Sequence, residues 1–394
     1  MQLAIYAHPF DLDALAEVGG LSRLRDLGIG EIAVACSYHD GRWLMAHDPQ
    51  RAVRFLEDGT VHFRPRSDYG PLQPLPSSFV PPSGADPLQR CLADAERIGM
   101  RVRAWTVFAH NSRLGERHPE CTVQNAFGDR YSYALCPAQA AVQQYELGLV
   151  RDLAAQPGLH AIEFEALGQM GWKHSSHHDK ASFAPAGLLD AALSACFCSA
   201  CSERLAAAGH DPRALASAVR EFVRQQVEAG DAMAPTKLPG NPVELLATGI
   251  VAAWLQPVLA ARAATVRQLA AAVTALTPKV ARAIQVHPHP WFTGSQLAAS
   301  SAAAFPVGDE RVLTCYGEGP DAIGKLLDSD GGKSIAGSPR RLCIWPKAPQ
   351  FATDEDLRKL ADLCSQHGIG ALAIYHLGLL PWRTIERVAK MFAR

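Results

Sequence analysis

Eight short apolar runs, each followed by a segment of helical period, constrain this chain more than any other feature. The runs are Gln2 to His8, Glu31 to His39, Arg101 to Phe108, Leu159 to Leu167, Val280 to His287, Arg311 to Gly317, Arg341 to Pro346 and Gly370 to Gly378. Between them lie amphipathic stretches: Leu12 to Leu27, Asp86 to Ile98, Ala138 to Ala155, Asp321 to Leu327, Asp354 to His367 and Trp382 to Phe392. Gly28, Gly99 and Gly368 stand where helices should stop, and Thr353 precedes a helix start at Asp354. Strand–helix alternation carried through eight repeats predicts an α/β fold, the (β/α)8 TIM barrel, with residues 1–394 as one domain. A doubly wound sheet is the rival, but no glycine-rich phosphate loop follows the first strand.

Two connections exceed ordinary length. Residues 40–84, rich in Pro, Arg and aromatic side chains, are expected to form a long loop after the second strand, over one face of the barrel. Residues 168–279 form an extended connection from the fourth strand to the fifth and hold a His-rich segment, a Cys-rich segment and Ala-rich helices. Leu245 to Ala264 is the most apolar long stretch, yet it contains Gln256, Pro257 and Arg262 and reads as a buried helix rather than a membrane span.

Charge narrows the partners. Lys and Arg total 38 against 39 for Asp and Glu, which gives no electrostatic case for nucleic acid or an anionic membrane. A small neutral substrate fits better, and a homo-oligomer stays open. The first residues, Met1 to Tyr6, lack the basic and long apolar regions of a signal peptide, so a cytoplasmic location is expected. Three of the ten cysteines fall in one tight motif, which suggests a metal more than disulfides.

In a barrel the C-terminal ends of the strands build the active site. The polar and aromatic residues there are His8, Tyr38 and His39, Trp105, His110 and Asn111, Glu163 and Glu165, His287 and His289 with Trp291, Tyr316 and Glu318, Trp345 and Lys347, and Tyr375 with His376. Aromatic faces beside hydrogen-bonding groups suit sugar rings. Any one of these histidines serves equally well as a strand cap; the whole set does not. Glu163 and Glu165 share one face of the fourth strand. Buried carboxylates are paired or used: Glu165, at the strand exit, is the candidate proton donor, while Arg103 and Arg282 on the flanking strands offer an ion-pair role, favoured for Glu163.

Cys196, Cys198 and Cys201 have the spacing to wrap one tetrahedral zinc. A fourth ligand must come from elsewhere, from Cys136, Cys121 or the histidines of His174 to His178. Four protein ligands would close the site and make the zinc structural. His174, His177 and His178 themselves follow the fourth strand and are candidate substrate contacts.

From Trp105 to Leu205 the chain resembles the β-galactosidases of glycoside hydrolase family 42. The matching pieces are His118-Pro119-Glu120, Cys136-Pro137 before a helix, the strand ending in Glu165, and Cys196-Phe197-Cys198-Ser199-Ala200-Cys201. The resemblance implies that Cys136 is the fourth zinc ligand and that Glu165 is the acid/base. It departs at Phe164, where that family has Asn, and at Ile344-Trp345-Pro346-Lys347, where its nucleophilic glutamate has no counterpart. Glu318 and Glu163 are the remaining candidates for a second carboxylate. A glycosidase acting on a small glycoside or oligosaccharide is therefore expected. The alternatives are a metal-dependent sugar isomerase or hydrolase using His8, His174, His177, His178 or His287, and a non-catalytic carbohydrate-binding barrel.

Overall fold

The computed structural model describes residues 1–17, 19–46, 48, 51–173, 180–181, 183–185, 187–230, 252–289 and 292–393. Eight parallel strands form its centre: β1 (Gln2–Ala7), β2 (Glu31–Tyr38), β3 (Arg101–Val107), β4 (Ala161–Glu165), β5 (Ala281–His287), β6 (Glu310–Cys315), β7 (Arg340–Ile344) and β8 (Ala371–Ile374). Each pairs with the next, and β8 pairs back onto β1 from Gln2↔Ala371 to Ile5↔Ile374, which closes the ring. All eight expected runs are strands, and the fold is the (β/α)8 barrel. Among the described residues no helix is long and apolar enough to cross a membrane.

Alternation along each strand sorts side chains between two cores. Ile162 and Phe164 of β4 join an outer apolar shell with Leu149 and Val273 of the surrounding helices. Full burial of a side chain such as Phe164 contributes about 2–3 kcal/mol. The inner face is unlike an ordinary aliphatic barrel filling. Ala4, Ala33, Ala35, Ala283 and Ala373 are small and buried there, and the volume they leave is taken by charged groups.

Several elements differ from expectation. The stretch Leu12 to Leu27 is two helices, Pro9–Ala16 and Gly20–Asp26, because Gly19 and Gly20 both take left-handed backbone angles (φ 110° and 65°). Residues 40–84 are not a plain loop: Gly41–Leu44 and Val53–Leu56 form an antiparallel hairpin, and Thr60–Val61 pairs with β2. Between β4 and β5 run the helices Gly187–Leu193, Ser199–Ala207, Pro212–Ala229 and Ala252–Leu276. The last is the described part of the helix expected from Leu245.

Candidate active site

At the base of the barrel interior five charged residues meet. Arg103 contacts Glu31 at 2.9 Å, Glu310 at 2.6 Å and Glu163 at 3.1 Å, and Arg341 contacts Glu31 at 3.0 Å and Glu310 at 3.2 Å. Burial would raise the Glu31 carboxyl, but Arg103 and Arg341 outweigh it and pull the group down to about 2. Glu163 is fully buried and further receives the Tyr6 hydroxyl and, at 2.8 Å, the Gln285 amide. The carboxylate offered as a catalytic candidate is thus consumed by the ion-pair network. Arg282 takes no part: it grips Asp309 through two bonds of 2.8 and 2.7 Å.

Glu165 stands one pleat higher and, among the described residues, meets no arginine. Trp105 donates its indole N–H to Oε2 at 2.7 Å, and Ser295 and Gln285 supply further side-chain hydrogen bonds. All of these donors are neutral. Burial therefore dominates and pushes the Glu165 carboxyl up to about 7, with Glu163 adding repulsion and the three donors opposing it. Its side of the strand ends abruptly. Ala166 is the only non-glycine residue among those described with a left-handed angle (φ 55°), and its N–H donates to the Ser295 carbonyl at 2.7 Å. Such strain costs on the order of 1–3 kcal/mol and collects at functional sites.

Around Glu165 the strand exits carry a ring of aromatic and imidazole groups. Tyr38 and Tyr375 share a hydroxyl contact of 3.3 Å, Tyr316 lies on Tyr375 with ring centroids 4.2 Å apart, and Trp345 is 5.8 Å from Tyr375. Lys347 holds its ammonium 3.2 Å from the Trp345 ring centroid. His110 stacks on His39 at 4.2 Å. His8 and His376 are fully buried, with Nδ1 of His8 3.0 Å from Nε2 of His376. Trp43, carried by the hairpin, closes over both at 4.6 and 4.5 Å.

Other expected contacts lie elsewhere. Asn111 is spent as the N-cap of the helix Ser112–Arg117, accepting from Leu114 N at 2.9 Å, and it packs so tightly on Gly59 that a Cβ there would sit 2.1 Å from its Oδ1. His287 stacks on Phe292 at 4.0 Å and accepts from His289 N at 3.0 Å. Glu318 is half-buried beyond β6 and accepts from Gly317 N; no hydrogen bond or ion pair among the described residues joins it to Glu165. His174, His177, His178 and Trp291 lie outside the described residues. Tyr6, Asp11, Trp43, His62, Gln285 and Ser295 were not singled out from sequence. Tyr6 and Gln285 carry a signal, each standing two residues before a candidate histidine, His8 and His287, and so on the same strand face.

The four cysteines form a separate buried cluster beside the barrel. The Cys136 sulfur lies 3.8, 3.6 and 3.6 Å from those of Cys196, Cys198 and Cys201. Four thiolates bonded to zinc at about 2.3 Å define tetrahedron edges of about 3.8 Å, so this arrangement can bind a metal. Cys198 is the N-cap of the helix Ser199–Ala207, and hydrogen bonds from the neighbouring thiols, Cys136 first, favour its thiolate. Cys121, the other cysteine considered as fourth ligand, sits by Glu120 and is not in the cluster.

A closed ring with functional groups gathered at the strand exits is the barrel on which many glycoside hydrolases are built. No protein-family profile and no curated protein matches the chain. Solved structures do. It is similar to the catalytic domain of β-amylase from Paenibacillus polymyxa, with a TM-score of 0.51 and 10% identity over 100% of this chain and 97% of that one. It is similar to the PgaB (BpsB) glycoside hydrolase domain from Bordetella bronchiseptica at 0.53 and 13%, over 100% and 97%. It also resembles β-galactosidase from Bacillus circulans sp. alkalophilus at 0.53 and 10%, covering 99% of this chain but 55% of that one. At these identities the likeness establishes the fold.

Proposed function

We propose that the chain is a glycoside hydrolase that cleaves a glycosidic bond in a small glycoside or oligosaccharide, with Glu165 as proton donor. The observation that carries this reading is the Glu165 environment: a buried carboxyl at a strand exit, held by neutral donors and shifted to about 7, the range a general acid needs near neutral pH. Trp105, Tyr316, Trp345 and Tyr375 offer rings for the C–H faces of a sugar, and His8, Tyr38, His110, Lys347 and His376 are the polar groups at or near the same strand exits. Glu163 positions Tyr6 and Gln285 rather than reacting. Glu318 is the remaining candidate for a second carboxylate.

The likeness to family 42 supports Glu165 as the acid and a structural zinc on Cys136, Cys196, Cys198 and Cys201. The ion would supply no chemistry to the reaction; it would tie the segment before the helix Ala140–Ala154 to the helix Ser199–Ala207. The same likeness leaves no carboxylate at the seventh strand, where Trp345-Pro346-Lys347 follows β7. That gap, with Glu163 held by Arg103, favours a second reading, a barrel that binds carbohydrate without turning it over.

A panel of nitrophenyl glycosides, run beside a binding assay on the same sugars, separates the two. Hydrolysis by the wild type and its loss by roughly 10²- to 10⁴-fold in Glu165→Gln, with the melting temperature preserved, is the expected result. Turnover unchanged in that variant excludes Glu165 as the acid; binding with no hydrolysis of any member selects the second reading.

A further inference from the structure

A second cluster at the barrel mouth has the chemistry of a metal site. His8 follows β1, His376 follows β8, and Asp11 lies in the first turn of the helix Pro9–Ala16. One ring nitrogen from each imidazole and one carboxylate oxygen of Asp11 lie within 4.8 Å of one another, and all three residues are buried. Two imidazoles and a carboxylate are the donor set of divalent first-row transition ions. Imidazole nitrogens bonded to one such ion at about 2.0–2.1 Å stand about 2.9 to 3.4 Å apart, from octahedral to tetrahedral geometry, and Nδ1 of His8 is 3.0 Å from Nε2 of His376.

Hydrogen bonding alone leaves the cluster incomplete. Gly378 N–H donates to Nδ1 of His376 at 3.2 Å, which puts the His376 proton on Nε2 and makes Nδ1 of His8 its acceptor. The His8 proton then sits on Nε2. That N–H stays unpartnered with or without an ion at Nδ1; Oδ1 of Asp11, also buried with no hydrogen-bond partner, is the acceptor that an ion would satisfy. Asp11 is oriented by His8 N–H at 2.7 Å, and its Oδ2 stands 3.6 Å from Nδ1 of His376.

We infer that His8, Asp11 and His376 bind a divalent first-row transition ion at the mouth of the barrel, distinct from the cysteine cluster. The ion takes the place of the single proton between the two ring nitrogens. The His376 proton moves to Nδ1, where Asp11 Oδ2 at 3.6 Å is the near acceptor and the Gly378 N–H bond to that nitrogen is given up, and no proton is gained or lost by the histidine pair. The Trp105 indole that donates to Glu165 has its ring 5.5 Å from that of His8, so the ion would stand one side chain away from the proposed proton donor.

Full-length protein equilibrated with Co2+ and freed of excess ion tests this by metal analysis and by anomalous scattering from a crystal. Two equivalents are expected, with one anomalous peak among the cysteines and one between His8, Asp11 and His376. Asp11→Asn and His376→Gln should each hold one equivalent, with the thiolate-to-cobalt absorption unchanged. A wild-type crystal with no peak between the three residues overturns the inference even if both variants fail to fold. So does an Asp11→Asn protein that still holds two equivalents. Because the peaks are separate in space, absence of metal from the cysteines is read independently.

Discussion

Glu163 and Glu165 project from the same face of β4, yet only Glu163 meets a guanidinium. Arg103 Nη1 lies 3.1 Å from Glu163 Oε2, while Glu165 Oε2 receives the neutral Trp105 indole at 2.7 Å. Two residues of spacing thus separate a structural ion pair from a carboxyl shifted to about 7. Placing chemically identical groups in contrasting surroundings is how one site comes to hold an acid for proton transfer.

If Glu165 is the general acid, it must carry its proton to work. Activity should therefore be full below pH 7 and fall as pH rises through about 7, giving an alkaline limb in kcat/KM. The Trp105 N–H favours the ionised form, so Trp105→Phe should move that limb upward by about one to two pH units, since a hydrogen bond to a charged group contributes about 1.5–3 kcal/mol. A limb that stays in place in Trp105→Phe would assign the titration to another group.

The strands were legible because each is a short apolar run bounded by turn residues, a pattern that local chemistry alone writes into sequence. The same-face placement of Glu163 and Glu165 follows from strand period, and the gathering of Cys136 with Cys196, Cys198 and Cys201 was read from their spacing and a family likeness. The partners of Glu163 were harder. Arg103 and Arg282 both flank the fourth strand, but which of the two points inward depends on the pleat of each strand, and Arg282 turns outward to Asp309. Glu31, Glu310 and Arg341 reach the network from three different strands, a convergence set by barrel closure that no local window contains. Trp43 escapes a local window for a similar reason: its segment has the composition of a loop, whereas a hairpin swings the indole over His8 and His376.

For the cysteines, metal analysis of purified protein should find about one equivalent of zinc at this cluster. Cys198→Ala should lose it and melt several degrees lower, a few kcal/mol being worth roughly 2 °C each in a chain of this size. Cys121→Ala, whose thiol lies beside Glu120, should keep its zinc. Well-folded wild type free of zinc, or equal loss from both variants, would refute the assignment.

The charged base of the barrel makes its own prediction for acid stability. Glu31 is depressed to about 2 in the fold against about 4.3 in an unfolded chain, so its contribution is complete above pH 4.3 and is lost as pH falls through 2. Glu165 acts with the opposite sign, since its raised value means that the fold gains relative stability as pH falls from 7 toward 4.3. The comparison must therefore be made between wild type and Glu31→Gln at matched pH. At pH 7 the variant leaves Arg103 and Arg341 short of one carboxylate, and loss of a partner from a buried ion pair costs about 3–5 kcal/mol. At pH 2.5 much of that difference should have vanished, because the carboxyl is then almost fully protonated in the unfolded chain while the folded one has begun to protonate as well. Urea unfolding at the two pH values measures both quantities, and a difference that is the same at each would show that Glu31 is not charged by its arginines in the way the geometry requires.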